Sequence, residues 1–147
     1  MGNGHEKLKF LFVCTGNACR SQLAEAWCRR YWQDRVDAYS AGVAPHGFID
    51  PRIIKVMAEA GIDMSSQRSK HLDEFNGMRF DYVITLCGNA QKVCPSFPET
   101  TKVLHVGFDA PPQLAAESKT EEEALMHYRK VRDDIKKFIE TLPRFWA

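Results

Sequence analysis

The 147 residues predict one α/β domain, a three-layer αβα arrangement in which a four-stranded parallel sheet lies between layers of helix. Three observations lead there. Short apolar runs rich in β-branched and aromatic residues recur at residues 8–13, 36–41, 80–86 and 101–106. Between and after them lie stretches whose apolar residues fall three and four apart, the helical period. The first run, LKFLFV, is nearly unbroken in hydrophobicity, which suits a strand covered on both faces of a parallel sheet. A chain that is 44% hydrophobic and 27% charged at this length supports one buried core and is cramped for two, so residues 1–147 are read as one domain.

Residues 1–7 (MGNGHEK) are polar and Gly-rich and read as a frayed, flexible lead-in without the apolar centre of a secretion signal. The first strand stops at Cys14, and a loop of small residues leads into a helix on which Leu23, Trp27 and Tyr31 stand four apart, with Ala24 and Cys28 beside them. The second strand is closed by Gly42. After the loop GVAPHGFI, Asp50 and Pro51 announce a second helix, the carboxylate as N-cap and the proline at the first helical position. Ile53, Ile54, Met57, Ala58 and Ala60 are its expected buried stripe and Gly61 its stop. A polar connection carrying Ser65, Ser66, Arg68, Ser69 and Lys70 follows. The third strand runs into Cys87, with Cys94-Pro95 seven positions on, and the fourth is followed by Gly107-Phe108-Asp109-Ala110-Pro111-Pro112. Thr120 and Glu123 form a capping box for a last helix. On it Leu125, Tyr128, Val131, Ile135, Phe138 and Leu142 recur every three or four residues, and Pro143 ends it.

A net charge of +1, with no basic run longer than a pair, argues against nucleic acid or an anionic membrane as partner. No apolar segment approaches the ~20 residues of a membrane span. Five cysteines, an odd number, do not form a secreted disulfide framework, which places the chain in the cytosol. No pair has zinc-finger spacing, and His5, His46, His71, His105 and His127 form no ligand-like cluster, so no metal is expected.

The chemistry concentrates between the first strand and the first helix. A strand-to-helix turn directs backbone N–H groups inward, and the helix behind it adds unpaired donors and a positive dipole end. A cysteine in that field, here Cys14, ionises readily. Arg20, six positions on, adds a planar fork matched to a tetrahedral oxyanion, and the Ser21 hydroxyl lies within reach of the sulfur. The Cys-x5-Arg spacing alone arises easily by chance; the strand before, the helix after and Gly16-Asn17 within make it specific. Cys87 ends the third strand, and strand ends of a parallel sheet gather at one edge, where sites of open α/β folds lie. Cys87 and Cys94 would stand about 10 Å apart on an unbroken helix, so a bond between them, with Cα atoms within ~7 Å, requires that segment to unwind. Gly88 and Pro95 at its margins are consistent with a mobile piece.

The stretch CTGNACRS resembles the phosphate-binding loop of the low-molecular-weight protein tyrosine phosphatase superfamily. From Leu8 to about Leu142 the chain is most similar to that superfamily's thioredoxin-coupled arsenate reductase branch. The resemblance implies strand order 2-1-3-4 and an oxyanion site of Thr15, Gly16, Asn17, Ala18, Cys19 and Arg20. It implies that Ser40 braces the loop through Asn17. Some members place an acidic residue of a cation site where Lys70 stands; Lys70 is expected to replace that cation, pair with Glu25 and reach toward Asn17 or Ser40, making activity independent of potassium. Phosphatases of the superfamily carry Asp-Pro where this chain has Asp109-Ala110-Pro111, and Asp109 is the implied proton donor to the leaving group.

The implied reaction begins with arsenate docking on the loop amides and Arg20, attack of Cys14 on arsenic and stabilisation of the thiolate by Ser21. Cys87 then attacks the Cys14 sulfur, arsenite leaves, and Cys94 relocates the disulfide outward for reduction by thioredoxin, or by glutaredoxin or a small thiol. No bound cofactor is implied, and the working unit is expected to be a monomer. A phosphatase needs neither Cys87 nor Cys94, and Gln22 replaces the proline usual in phosphatases; both favour the reductase. Cys19 is shared by both branches, and Cys28 reads as core. The alternatives are a phosphotyrosine phosphatase with a Cys14 phosphoenzyme and Asp109 as acid, and an oxyanion or thiol redox sensor that does not turn over.

Overall fold

The computed structural model describes residues 7–146; most of the expected lead-in lies outside the described residues. Four parallel strands, β1 (Leu8–Cys14), β2 (Val36–Gly42), β3 (Tyr82–Thr85) and β4 (Lys102–His105), form one sheet in the order β2-β1-β3-β4. That is the expected order. The helices are α1 (Arg20–Trp32), α2 (Pro51–Glu59), α3 (Gly88–Val93), α4 (Pro111–Leu114) and α5 (Glu121–Glu140), with 3-10 turns at Leu72–Phe75 and Leu142–Phe145.

β1 organises the sheet because it pairs on both edges, Leu8 to Cys14 against Val36 to Gly42 and Phe10 to Val13 against Tyr82 to Thr85. Its side chains alternate between two cores. Phe10 and Phe12 pack with α1, α2 and α5. Leu11 and Val13 pack on the other face with Phe80, Val83, Leu72 and Ala90 of α3. Each such side chain, fully out of water, contributes roughly 1.5–3 kcal/mol. α1 is tied to α5 by two indole N–H groups: Trp27 donates to the carbonyl of Arg132 (3.1 Å) and Trp32 to that of Ile139 (2.9 Å).

The helix ends follow their sequence signals. Asp50 accepts from the Arg52 N–H at 2.9 Å, capping α2. Gly61, at φ 82°, ends it in a Schellman arrangement, with Gly61 N–H on Ala58 (3.0 Å) and Ile62 N–H on Met57 (2.9 Å). The α2 stripe differs from expectation. Ile53, Val56 and Met57 are buried, whereas Ile54 and Ala58 face solvent and Ala60 is half-buried. Nine residues resting on α5 present one narrow face, and Val56, three from Ile53, completes it. Tyr31 at the end of α1 is likewise exposed but stacks on Trp27. At α5, Thr120 accepts from the Glu123 N–H (3.1 Å), while the Glu123 carboxylate reaches back to the N–H of Lys119 (2.8 Å) rather than of Thr120. α5 ends at Glu140, and Pro143 falls in the turn beyond it.

Because Cys14 pairs with Gly42 and Val13 with Thr85, the C-terminal ends of β1, β2 and β3 meet at one edge. Cys14 and Cys87 are therefore brought to the same edge by register.

Candidate active site

Cys14 is the last residue of β1 and Arg20 the first of α1, so residues 15–19 form the turn between them. Its shape is held from behind. Asn17 is fully buried and adopts φ 48°, a left-handed conformation that asparagine tolerates. Its amide donates to Ser21 Oγ (2.7 Å) and Ser40 Oγ (3.1 Å), and its Oδ1 accepts from the Lys70 N–H (2.8 Å) and from Gln22 Nε2 (2.9 Å). Ser40 donates its own hydroxyl hydrogen bond to Glu25 Oε1 at 2.5 Å. Ser21 Oγ lies 2.8 Å from Cys14 Sγ. Since Ser21 already accepts from Asn17, its hydroxyl hydrogen is free to point at the sulfur.

Glu25 is a buried carboxylate, which needs partners to stay charged. Arg29 meets it at 2.8 Å and Lys70 Nζ at 3.6 Å. Lys70 Nζ also donates to the Arg68 carbonyl (2.8 Å) and approaches Ser40 Oγ (3.5 Å). Burial pushes the Lys70 ammonium below the ordinary lysine range, partly offset by the Glu25 charge. The Lys70 ammonium thus lies beside Glu25 and Ser40, while it is the backbone N–H of Lys70 that meets Asn17.

A second edge of the loop is laced to the chain after β2. Val43, Ala44 and His46 donate their N–H groups to the carbonyls of Cys14 (3.1 Å), Thr15 (2.9 Å) and Gly16 (2.9 Å). A Cβ at Gly42 would stand 2.5 Å from the Thr15 carbonyl, so this approach requires glycine. Among the described residues, the backbone N–H groups of residues 16–20 donate to no protein acceptor, leaving them available to an anion.

The loop floors a cleft of about 540 Å³ whose walls include Cys14, Thr15, Arg20, His46, Cys87 and Asn89. Arg20 anchors one guanidinium nitrogen on the Phe108 carbonyl at 2.8 Å. Thr15 Oγ1 lies 3.3 Å from Cys87 Sγ and accepts from Asn89 Nδ2 (3.0 Å), which turns its hydroxyl hydrogen toward the sulfur. Cys87 is the N-cap of α3, accepting from the Ala90 N–H at 3.4 Å, and Cys94 is its C-cap. Burial alone would push the Cys87 thiol up; hydrogen bonds from Thr15 and Ala90 and the Arg20 charge outweigh it and bring the thiol below its ordinary range. Cys94, half-buried without such partners, is pushed up by burial. Cys19 also lines the cleft, but its thiol donates to Asp50 Oδ2 (3.6 Å), and burial followed by the Asp50 charge drives it far up. Cys28 is sealed in the core and pushed up by burial to about 12.

The Asn17 side chain braces the loop from below through Ser40 and Ser21, with every polar atom engaged there, so that only its backbone N–H is left for the cleft. One expected site residue stands elsewhere. Asp109 is exposed and absent from the cleft wall, and its charge acts on Lys130 of α5. The residue directly before Pro111 is Ala110, and Ala110 takes the place on the wall. Two contributors escaped the sequence reading. Gln22 appeared only as a departure from proline; it is fully buried and bonds Asn17, the Arg68 carbonyl (2.8 Å) and Gln67 (2.8 Å). Asp50, read as a helix cap, also holds Cys19 and accepts from the Tyr128 hydroxyl at 2.5 Å. Among the described residues, no group of three His, Cys, Asp or Glu side chains is placed to hold a metal.

The low molecular weight phosphotyrosine protein phosphatase family model matches residues 9–143. An arsenate reductase of Halalkalibacterium halodurans is 46% identical over 130 residues, 88% of this chain and 91% of that protein. A solved arsenate reductase in its phosphate binding state is 29% identical with a TM-score of 0.72, covering 92% of this chain and 95% of that one. The thioredoxin-dependent arsenate reductase of Corynebacterium glutamicum is 28% identical with a TM-score of 0.72, over 94% of this chain and 61% of that longer one. On that match, which runs from the second residue of β1 to just past α5, the chain belongs to the low molecular weight phosphotyrosine protein phosphatase family.

Proposed function

We propose that this chain reduces arsenate to arsenite through Cys14, Cys87 and Cys94 in turn, with thioredoxin closing the cycle. The observation that carries the reading is that Cys14 and Cys87 line one cleft while Cys87 and Cys94 cap the two ends of one short helix. Arsenate is a near copy of phosphate, and the unengaged N–H groups of the loop with Arg20 suit either anion. What separates the two substrates is the second sulfur. Phosphorus in an ester is not reduced by thiols, so a phosphatase has no use for a resolving cysteine held in thiolate-favouring surroundings, as Cys87 is.

In the first step the Cys14 sulfur attacks arsenic, with Ser21 donating to the thiolate and Arg20 gripping the oxyanion. In the second the Cys87 thiolate attacks Cys14 Sγ; the sulfur–sulfur bond forms as the sulfur–arsenic bond breaks, and the electron pair leaves with arsenic as arsenite. In the third Cys94 attacks Cys87, freeing Cys14 and moving the disulfide to the margin of the cleft. The relatives named arsenate reductase support the substrate, and the thioredoxin-dependent neighbour supports the reductant; glutaredoxin or a small thiol would serve the same chemistry. A relay returned to thiols in every cycle belongs in a reducing compartment, the cytosol. All three sulfurs come from one chain, so a monomer suffices. Among the described residues no helix is long and apolar enough to cross a membrane.

The test is NADPH oxidation with arsenate, thioredoxin and thioredoxin reductase. Wild type turns over continuously, Cys14→Ser is inactive, and Cys87→Ser and Cys94→Ser stall after at most one turnover. Undiminished multiple turnover in both of the last two variants removes the relay.

A further inference from the structure

Attack of sulfur on arsenate expels an oxygen, and that oxygen departs readily only if it takes up a proton. Phosphatases of this superfamily are expected to use the aspartate of an Asp-Pro pair, but here the wall of the cleft carries Ala110-Pro111-Pro112, and Asp109 is exposed and outside that wall. The titratable and charged side chains that line the cleft are Cys14, Cys19, Arg20, Cys87 and His46. Four of them are unsuited to the task. Cys14 is the nucleophile, Cys87 must itself be a thiolate for the next step, Cys19 donates to Asp50, and a guanidinium does not give up its proton.

His46 is held over the loop on two counts. Its backbone N–H donates to the Gly16 carbonyl at 2.9 Å, and its ring lies flat against Gly16, where a Cβ would come within 2.6 Å of Nε2 and 2.8 Å of both ring carbons beside it. A side chain at residue 16 would push the exposed ring away from the loop. Ser69 tightens the same corner, donating to the Gly16 carbonyl (3.1 Å) and accepting from the Gly47 N–H (3.1 Å). Among the described residues neither imidazole nitrogen hydrogen-bonds to another protein group, so the donor is uncommitted. The nearby cations of the connection behind the loop are already matched, Arg68 by Glu74 (2.6 Å) and Lys70 by Glu25 (3.6 Å).

We propose that His46 is a catalytic residue of this site, the general acid that protonates the departing oxygen when Cys14 attacks the oxyanion. The proposal rests on the arsenate reading above. The cleft's proton donor stands on the loop after β2 instead of the loop after β4. With arsenate as its monoanion, the sulfur–arsenic bond forms, one arsenic–oxygen bond breaks, and the imidazolium proton moves to that oxygen, which leaves as water. Neutral imidazole and a thioarsenate of unchanged oxidation state remain. The two electrons move only afterwards, when Cys87 attacks. Imidazole regains its proton from solvent at the open lip of the cleft, where His46 is exposed.

The experiment compares wild type with His46→Gln and His46→Ala in the thioredoxin-coupled assay, alongside alkylation of Cys14 by iodoacetamide, which expels iodide and needs no proton. Both variants should lose about a hundredfold in kcat, the scale of a missing general acid. KM for arsenate should change little and Cys14 alkylation should keep its wild-type rate. Added imidazole should restore part of the His46→Ala rate. Wild-type kcat in both variants, or a loss confined to KM, overturns the proposal. So does a hundredfold loss in Asp109→Asn with His46→Gln unaffected, which returns the role to the carboxylate. A wild-type protein that leaves arsenate unreduced would instead strike the arsenate reading itself.

Discussion

Thr15 is the residue on which two functions meet, since its backbone belongs to the anion loop and its hydroxyl to the resolving sulfur. Asn89 fixes the direction of that hydroxyl by donating to its oxygen, leaving its hydrogen for Cys87. Thr15→Val keeps shape and removes the donor. A hydrogen bond to a charged acceptor contributes roughly 1.5–3 kcal/mol, so the Cys87 thiol should titrate at higher pH in the variant. The sign follows: a thiol held low in the folded protein is a thiolate over a wider range of pH, and losing the bond moves its titration to higher pH. Alkylation of the Cys87 peptide, followed by mass spectrometry against pH in a Cys14→Ser background, should show that displacement, and turnover at neutral pH should fall about tenfold. An unshifted profile would separate Thr15 from Cys87. The sequence placed Thr15 in the loop and Cys87 at the same sheet edge, but the hydroxyl-to-sulfur contact between residues 72 positions apart was not legible in it. For Lys70 the family resemblance, which implies an acidic residue there in some members, carried the expectation without coordinates. The Lys70 Nζ sits among Glu25, Ser40 and the Arg68 carbonyl, where a monovalent cation would find the same oxygen donors. Turnover in sodium and potassium buffers should therefore be equal, and a several-fold gain in potassium would sink the substitution.

At the scale of elements, the proposed relay places its burden on α3. Its six residues separate two cysteines that cap it, and at the rise of an unbroken helix seven positions span about 10 Å, beyond the ~7 Å between Cα atoms that a disulfide allows. The helix is short, buries only Ala90, and starts with a glycine, so little holds it together. A Cβ at Gly88 would meet nothing within 4 Å, and Gly88 does not have positive φ. Gly88→Ala should thus stabilise the helix by about 0.5–1 kcal/mol without a clash. If unwinding precedes the third step, formation of the 87–94 disulfide should slow by roughly two- to fivefold in single-turnover quench experiments, while release of arsenite keeps its rate. Equal rates for the last step would mean that the helix does not open on the way. The spacing and the flanking Gly88 and Pro95 made this element readable in advance. The α2 stripe was misread because a nine-residue amphipathic pattern admits two neighbouring faces, and only the position of α5 selects Val56 over Ile54.

Across the whole molecule, the sheet and its larger helical layer form a rigid half, with Phe10, Phe12, Trp27, Tyr128 and Ile135 all buried and α1 bolted to α5 through two indoles. The opposite layer is thin, consisting of α3, the 3-10 turn at Leu72–Phe75 and the chain around Cys94 and Phe97. The larger layer anchors α1 behind the Cys14 loop, while α3 and the chain around Cys94 pack on the opposite side of β1. The consequence is a spatially confined change on oxidation. When the 87–94 disulfide forms, amide hydrogen exchange should accelerate in residues 87–97 as α3 opens, whereas the amides of β1, α1 and α5 keep their reduced-state protection. The far-ultraviolet circular dichroism should lose the signal of about one and a half helical turns and no more. Exchange measured on the reduced protein and on protein oxidised by one equivalent of arsenate tests both statements. Faster exchange spreading into α1 or α5 would show that the cradle of Cys14 is remade in each cycle, and the division into a rigid half and a thin layer would then be wrong.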